Sequence, residues 1–599
     1  MTRAVLKFLP FLIALALIPI FLPGGRLGSY YLTLLILSVS YAVAALGLTI
    51  LLGYSGQVSL AQAAFFGIGA YAFAVLAAKH DVPFGFAAIA ALIITTGFGF
   101  LLGLISLRLA SHYLALVTIG FQIIVGLVLN NWAIVTGGAD GVSNIPRPAF
   151  FGIDFSHDHY FYWLSIACLG IASYLVYRLR HSRLGGALLA LREDEIAAAS
   201  NGISLFWTKI LAFTASATLG GLGGILYASG SMYISPNVFD FNQSVSFFAM
   251  TLVGGQESIV GTTLGAALIT FLPEVLRFLH AYYIAVYGAL VVIVILFMPQ
   301  GLYGMLLRGI DALRHMVFRS PAEGAAVPVA AQRQHSLKRP VATNDPILQI
   351  TGLRKHFGGI KAVDGVDFTI CRGDIAVLIG PNGSGKTTAL NVLSGVYTAT
   401  AGSISFNGTD ITNRRPAEIN RLGITRTFQN IRLFPELTAL ENVVIGYYPK
   451  GTVGLLGTLF ARRRGFIEDR EAAARARETL RLLGFSRFDI KAKNLPYGQQ
   501  RVVEIARAIV SGPELLLLDE PAAGMNREET AALSEILYRI HDLGLTILLI
   551  EHDMSFVASV ATRAYVMDFG QKISEGTVAQ VLSDQKVIKA YLGDDAEYA

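Results

Sequence analysis

The sequence predicts a polytopic α-helical membrane domain followed by an α/β domain, and three observations predict it. Residues 27–78, 82–107 and 109–139 contain no Asp, Glu, Lys or Arg. Each run exceeds the roughly 20 residues that cross a bilayer. Beyond residue 346 the pattern changes to short apolar strands alternating with amphipathic helices, as a parallel α/β domain requires. Within that region Gly380-Pro-Asn-Gly-Ser-Gly-Lys-Thr-Thr388 follows the apolar strand Ile375 to Ile379. A glycine-rich turn between strand and helix lets backbone N–H groups close around phosphates, so the second half reads as an α/β P-loop NTPase.

Composition restricts the class in the same direction. Charged residues are 15% of the 599 positions and hydrophobic residues 54%, with a mean hydropathy of +0.56. A soluble chain of this length could not hide that much apolar surface. The net charge of +6 does not point to nucleic acid, because basic residues such as Arg178, Arg180, Arg183, Arg308, Arg314 and Arg319 flank apolar spans. The positive-inside rule accounts for them, and no basic-aromatic interleaving accompanies them. Cys168 and Cys371 fall in different halves and read as small apolar residues, and the histidines lack metal-ligand spacing.

Taken in order, spans are expected near residues 8–23, 30–53, 57–78, 84–107, 113–133, 160–178, 207–228, 243–273 (broken) and 281–298. Arg3 and Lys7 before the first apolar run resemble a signal peptide, but no small-residue cleavage pattern follows, which favours a retained span. Two glycine-rich interruptions stand out: Gly53-Tyr-Ser-Gly-Gln-Val-Ser59 and Gly254-Gly-Gln-Glu-Ser-Ile-Val-Gly261. Broken helices can expose backbone to a solute path, and the alternative is close helix packing at glycine. Glu257 at such a break is expected to face a cavity or an interface. Between two spans, Gly185 to Asn201 reads as a short amphipathic helix ended by Gly202, a lever for a cytoplasmic partner. Residues 1–305 thus form the membrane domain, 306–346 an Ala, Pro, Gln and Arg-rich linker, and 347–597 the nucleotide domain.

The nucleotide domain carries its chemistry at fixed spacing. The loop Gly380, Pro381, Asn382, Gly383, Ser384, Gly385 and Thr388 is suited to cradle phosphates, Lys386 to neutralise them and Thr387 to offer a hydroxyl to Mg²⁺. Leu515 to Glu520 is a buried strand ending in two carboxylates: Asp519 is placed to hold Mg²⁺ through water, and Glu520 to polarise the water that attacks the γ-phosphate of ATP. Gln429 can bridge metal and attacking water, His552 can touch the γ-phosphate, and the ring of Phe357 can stack on adenine or serve as an ordinary core aromatic.

Together Gly380 to Thr388, Gln429, Leu495-Pro-Tyr-Gly-Gln-Gln-Arg501, Asp519-Glu520 and His552 resemble the ATP-binding cassette (ABC) ATPases. Pro496 and Tyr497 depart from the usual Leu-Ser-Gly-Gly-Gln signature, and that departure is similar to the ATPases of branched-chain amino acid importers. Asn430-Ile-Arg-Leu-Phe434, Glu520-Pro-Ala-Ala-Gly-Met-Asn526 and Val587-Ile-Lys-Ala-Tyr-Leu-Gly593 agree. The membrane half is similar to the matching permeases through Gly53 to Leu60, Ala63 to Tyr71, Thr136 to Gly141, Leu191 to Glu195 and Asn201-Gly-Ile203. Gln256-Glu257 departs from the smaller residues expected there, which leaves solute preference more open.

The resemblance implies an ABC importer at the cytoplasmic membrane, with ATP and Mg²⁺ as cofactors. Each ATP would lie between the phosphate loop of one cassette and the signature residues Tyr497, Gly498 and Gln499 of another. One permease and one ATPase make half a transporter. The implied partners are a second permease and a second ABC ATPase, different chains or a second copy of this one, an extracytoplasmic solute-binding protein and membrane lipid. Leucine, isoleucine and valine are the implied solutes; urea, short amides and other neutral or aromatic compounds are the alternatives. A half-exporter would show long charged helical extensions, and only the stretch from Arg178 to Glu195 is charge-rich. A membrane-tethered regulatory ATPase is disfavoured by the complete hydrolysis motifs.

Overall fold

The computed structural model describes residues 2–22, 25–106, 111–150, 153–282, 301–305, 345–459 and 464–592, with scattered positions between 286 and 298. The chain divides into two compact units, one of Met1–Arg192 with Phe206–Ala325, the other of Glu193–Leu205 with Ala326–Ala599. Residues 306–344 of the expected linker lie outside the described residues, as do 283–285, 287, 290–291 and 294–295 of the expected span 281–298.

In the first unit, among the described residues, seven helices are long and apolar enough to cross a membrane: Arg26–Tyr54, Gln62–Lys79, Phe84–Ser106, Tyr113–Asn131, Asp158–Arg180, Leu205–Ser231 and Ile259–Phe278. A shorter apolar helix, Pro10–Phe21, and the 14-residue helix Phe241–Gly254 accompany them. The expected break within 243–273 is present, since a new helix begins at Ile259.

Small residues decide how these helices meet. On Phe84–Ser106 the buried positions Ala87, Ala91, Thr95, Gly99 and Gly103 recur every fourth residue, while Phe86, Ile89, Ile93, Phe100, Leu101 and Ile105 face outward. In lipid, apolar bulk gains nothing by facing another helix, so the stripe of small residues forms the seam and the large side chains go to the outside. A Cβ on Gly99 would stand 2.4 Å from Cβ of Ala217, and one on Gly224 would stand 2.0 Å from the carbonyl oxygen of Phe66. The helix Leu205–Ser231 is therefore threaded between its neighbours at backbone contact distance. Buried hydroxyls close the remaining gaps, as where Thr49 and Thr262 share a 2.8 Å hydrogen bond.

The second unit contains a six-stranded sheet in the order Gln571–Gly576, Arg563–Asp568, Ile375–Ile379, Thr546–Ile550, Leu515–Asp519, Ile424–Arg426; only the first of these runs antiparallel. A four-stranded antiparallel sheet, Ile360–Cys371, Pro346–Phe357, Ala401–Phe406 and Thr409–Asp410, packs beside it. Strand alternation feeds two cores. Ile375, Val377, Ile379, Leu516, Leu518, Ile547 and Leu549 meet the helices on one face. Ala376, Leu378, Leu515, Leu517, Leu548 and Ile550 meet Leu348, Ile350, Phe368 and Ile370 of the antiparallel sheet on the other. Each of these leucines and isoleucines contributes about 1.5–3 kcal/mol by burial, which is why a strand covered on both faces reads as an unbroken apolar run.

The segment expected as one helix from Gly185 to Asn201 is two. Arg183–Glu193 ends, Asp194 turns extended, and Glu195–Ser200 follows. Asp194 causes the break, because its Oδ1 accepts from the backbone N–H of Ala197 at 2.8 Å and so caps the second helix. Gly202 adopts φ +82° after it, where a Cβ would also meet Pro449 Cγ at 2.6 Å.

Gly224→Leu should sharply reduce the yield of monodisperse protein in detergent. Gly97→Leu, on an open face with nothing within 4 Å, should leave the yield at wild-type level. Size-exclusion profiles of the two variants check the seam.

Candidate nucleotide site

The strand Ile375–Ile379 is completely buried and delivers the chain into the loop at Gly380, after which the helix Lys386–Leu393 begins. The loop's path requires glycine at two points. Gly380 at φ +150° and Gly385 at φ +99° would each place a Cβ about 2 Å from a backbone oxygen, at 2.0 Å from Met567 and 2.1 Å from Ala362. Gly383, at φ +83°, has open space around it. The Nζ of Lys386 folds over the loop, donating to the carbonyls of Gly380 and Pro381 at 2.8 Å each and lying 3.4 Å from the Ser384 hydroxyl. Burial lowers its pKa, against which the charges of Glu520 and Asp519 act. Thr387 and Thr388 follow in the helix's first turn, where N–H groups have no intrahelical acceptor.

Asp519 ends the central strand Leu515–Asp519 and is 1% exposed. Its Oδ2 accepts from Arg426 Nη2 at 2.8 Å, and that guanidinium is itself buried, donating from Nη1 to Asn391 Oδ1 at 2.6 Å and Ser394 Oγ at 2.8 Å. Burial raises the Asp519 pKa, with Arg426 opposing the rise. Among the described residues its Oδ1 has no hydrogen-bond partner. Glu520, next in sequence, is held at φ +45°, and its Oε2 accepts from Gln429 Nε2 at 2.9 Å. His552 Nδ1 stands 3.9 Å from the same oxygen. Behind the histidine, Glu551 is 1% exposed and accepts from the backbone N–H groups of Ala522 and His552, fixing the turn after Thr546–Ile550.

The expected residues thus fall into one cluster and two outliers. Lys386, Gln429, Asp519, Glu520 and His552 converge at the C-terminal ends of parallel strands, the usual ligand position in open α/β sheets. Phe357 is 43% exposed and packs edge-on against Tyr397, with Lys355 Nζ 4.8 Å above its ring, so it is not a core aromatic. Tyr497, Gly498 and Gln499 open the helix Tyr497–Ile509, and the Tyr497 hydroxyl donates to the Ala523 carbonyl at 3.2 Å.

Sequence reading missed the groups that hold the site from behind. Arg501 is fully buried, donating to the carbonyls of Phe428 and Gln429 at 2.9 and 3.1 Å and to Glu504 at 2.6 Å. Glu504 in turn accepts from the N–H groups of Phe428 and Arg432 at 3.4 Å. The Gln429 loop therefore hangs on the signature helix. From the same loop, Arg432 Nη1 pairs with Asp194 Oδ2 at 2.7 Å, and from the helix Pro416–Leu422 Asn420 Nδ2 donates to the Ser200 carbonyl at 2.7 Å. A charged residue ending a short buried strand, as Arg426 is, was the available signal.

A phosphate loop, a paired carboxylate strand and a separate signature helix, joined to a multi-pass membrane domain, define an ATP-binding cassette transporter that couples ATP hydrolysis to solute movement. Residues 30–298 match the family described as branched-chain amino acid transport system / permease component. Residues 363–523 match the ABC transporter family, and 571–597 the branched-chain amino acid ATP-binding cassette transporter family. The chain belongs to the branched-chain amino acid ABC transporters. It is 42% identical to the high-affinity branched-chain amino acid transport ATP-binding protein BraF of Pseudomonas aeruginosa, over 42% of this chain and 98% of that one. It is 40% identical to LivG of Escherichia coli, over 42% and 99% of the respective chains. A nucleotide-free ATP-binding cassette from an ABC transporter aligns at 37% identity over 42% of this chain and 100% of that one, with a TM-score of 0.37.

Arg426→Met should destabilise the ATPase unit by about 3–5 kcal/mol, because it strands a buried carboxylate. Denaturant titration of the full chain, followed by fluorescence, measures it; a loss below about 1 kcal/mol would contradict the pairing as described.

Proposed function

We propose that this chain is one half of an ATP-driven importer of branched-chain amino acids in the cytoplasmic membrane. Its ATPase unit faces the cytoplasm, and an extracytoplasmic binding protein delivers leucine, isoleucine or valine. The observation that carries the reading is the double attachment of one loop: Gln429 is hydrogen-bonded to Glu520, and Arg432, three residues on, is ion-paired to Asp194 of the segment between two membrane helices. Chemistry at Glu520 and movement of that segment thus share one short piece of backbone. The solute class is that named for the similar BraF and LivG chains.

In this reading the loop Gly380–Thr388 and Lys386 bind the β- and γ-phosphates of ATP, and Phe357 lies under adenine. Glu520 is the general base that takes the proton of the attacking water, Gln429 orients that water, and His552 contacts the γ-phosphate. Thr387, Gln429 and Asp519 would hold Mg²⁺, which when bound neutralises charge on the phosphates. The Oδ1 of Asp519, which has no partner among the described residues, fits a metal-bound water. Lys386, whose Nζ rests on the loop's own carbonyls, exchanges those contacts for phosphate oxygens on binding.

Tyr497, Gly498 and Gln499 start a helix whose free N–H groups suit an anion, and they serve the ATP of a facing cassette. Closure of the two cassettes requires the γ-phosphate between them, and its loss lets them part. Gln429 then releases, and because Arg501 and Glu504 grip the same loop, the signature helix and Arg432 move with it. A second permease and ATPase, separate chains in the arrangement we favour, complete the assembly.

Glu520→Gln should lower ATP hydrolysis by about 10²–10⁴-fold, retain bound ATP and abolish uptake, with expression unchanged. Uptake of labelled leucine into vesicles, dependent on ATP and on an added binding protein, tests direction and solute together. ATP-driven efflux, or uptake that persists in the Glu520→Gln assembly, would overturn the reading.

A further inference from the structure

Arg192 stands where the two helix breaks of the membrane unit meet. The first break is a π-helical turn, Thr49–Tyr54, followed by an unwound stretch before the helix at Gln62. The second separates the helix ending at Gly254 from the one starting at Ile259. A Cβ on Gly53 would lie 1.9 Å from the carbonyl oxygen of Gln256, so the breaks touch through their backbones. A Cβ on Gly56 would lie 2.5 Å from Cγ of Arg192, so the arginine stem packs directly on the first break.

The guanidinium then joins the two. Arg192 Nη1 donates to the Gly53 carbonyl at 2.5 Å and to Glu257 Oε1 at 2.6 Å. The Tyr54 hydroxyl reaches the Glu257 carbonyl at 3.5 Å. Broken helices leave carbonyls without intrahelical donors, and in an apolar medium such a group must be satisfied by something. Arg192 satisfies one break and neutralises the carboxylate of the other with a single side chain. Next to Gly56 in the first break comes Gln57, 6% exposed, both of whose amide atoms lack a hydrogen-bond partner among the described residues. An amide of that kind, able to donate and accept, matches the ammonium and carboxylate of a zwitterion.

Sequence position makes the arginine movable. Glu193 and Asp194 follow it directly, and these belong to the segment anchored by Arg432 and Asn420. We propose that Arg192 is a positioning residue for transport: its bonds to Gly53 and Glu257 latch together the two breaks, the first of which carries Gln57. Displacement of the segment Glu193–Leu205 withdraws it and opens Gln57 to the solute. This rests on the transport reading above, and it assigns Glu257 to the latch and Gln57 to solute contact.

The test uses the complete transporter with Cys168 and Cys371 replaced by Ala and Gln57→Cys introduced, in the nucleotide-free state. The rate of labelling by a membrane-impermeant thiol reagent is read with Arg192→Gln, with Glu257→Gln and with Arg192→Lys, which keeps a charged donor. Each glutamine variant should label about 10-fold faster, and Arg192→Lys should stay within about 3-fold of the parent. With Gln57 intact, leucine moved per ATP hydrolysed should fall about 10-fold in the two glutamine variants and stay near the parent in Arg192→Lys. Labelling unchanged in both glutamine variants, or Arg192→Lys as fast as Arg192→Gln, overturns the latch. Glu257 is half-exposed, so Glu257→Gln keeps the test valid should Arg192 variants misfold. If the parent assembly moves no leucine, the import reading fails while the labelling rates still decide the latch.

Discussion

In hydrocarbon no water is available to rescue a backbone carbonyl, and a helix that stops within the membrane unit must find its donors inside the protein. The first unit has two such stops, at Gly53–Ser59 and Gly254–Ser258, and much of its construction follows from seating them. Glycine lets the two stretches approach to backbone contact, a threonine pair closes the gap above, and an arginine supplies the missing charge. The same demand explains why that arginine is only 16% exposed while its carboxylate partner is 45% exposed: the donor is committed to the backbone, and the acceptor keeps a route to water.

The ATPase unit meets a related demand by different means. Its central strands are covered on both faces, so charged groups at their ends are lifted out of water and need fixed partners. Asp519 has Arg426, Arg501 has Glu504 and two carbonyls, and Glu551 has two backbone N–H groups. Buried pairs of this kind add little net stability over apolar packing, but they fix direction. One oxygen of Asp519 is tied to Arg426 and the other has no hydrogen-bond partner among the described residues, and the Gln429 loop is held by a side chain on the helix that starts at Tyr497.

What could be read from the chain beforehand was what is local. The phosphate loop, the strand before it and the carboxylates at 519 and 520 are contiguous patterns, and each landed on the element expected for it. The long apolar spans were equally plain, since one residue every 1.5 Å leaves few ways to cross a bilayer. The support groups were hidden because they depend on neighbours distant in sequence. Arg426 reaches Asp519 only because Ile424–Arg426 runs beside Leu515–Leu517, a pairing no local pattern announces. The single helix expected over 185–201 failed for a smaller reason: apolar periodicity runs through the segment, but Asp194 satisfies a backbone N–H more favourably as a cap than as a helical residue.

Asp194 thereby has two duties, ending a helix with one oxygen and holding Arg432 with the other. Its partner surface also includes the Asn420–Ser200 bond, the backbone N–H of Glu436 donating to Glu193 and the contact at Gly202. Carried on one polypeptide, the two sides of this surface meet at a high effective concentration. Chain continuity thus shares with these contacts the task of keeping the parts together.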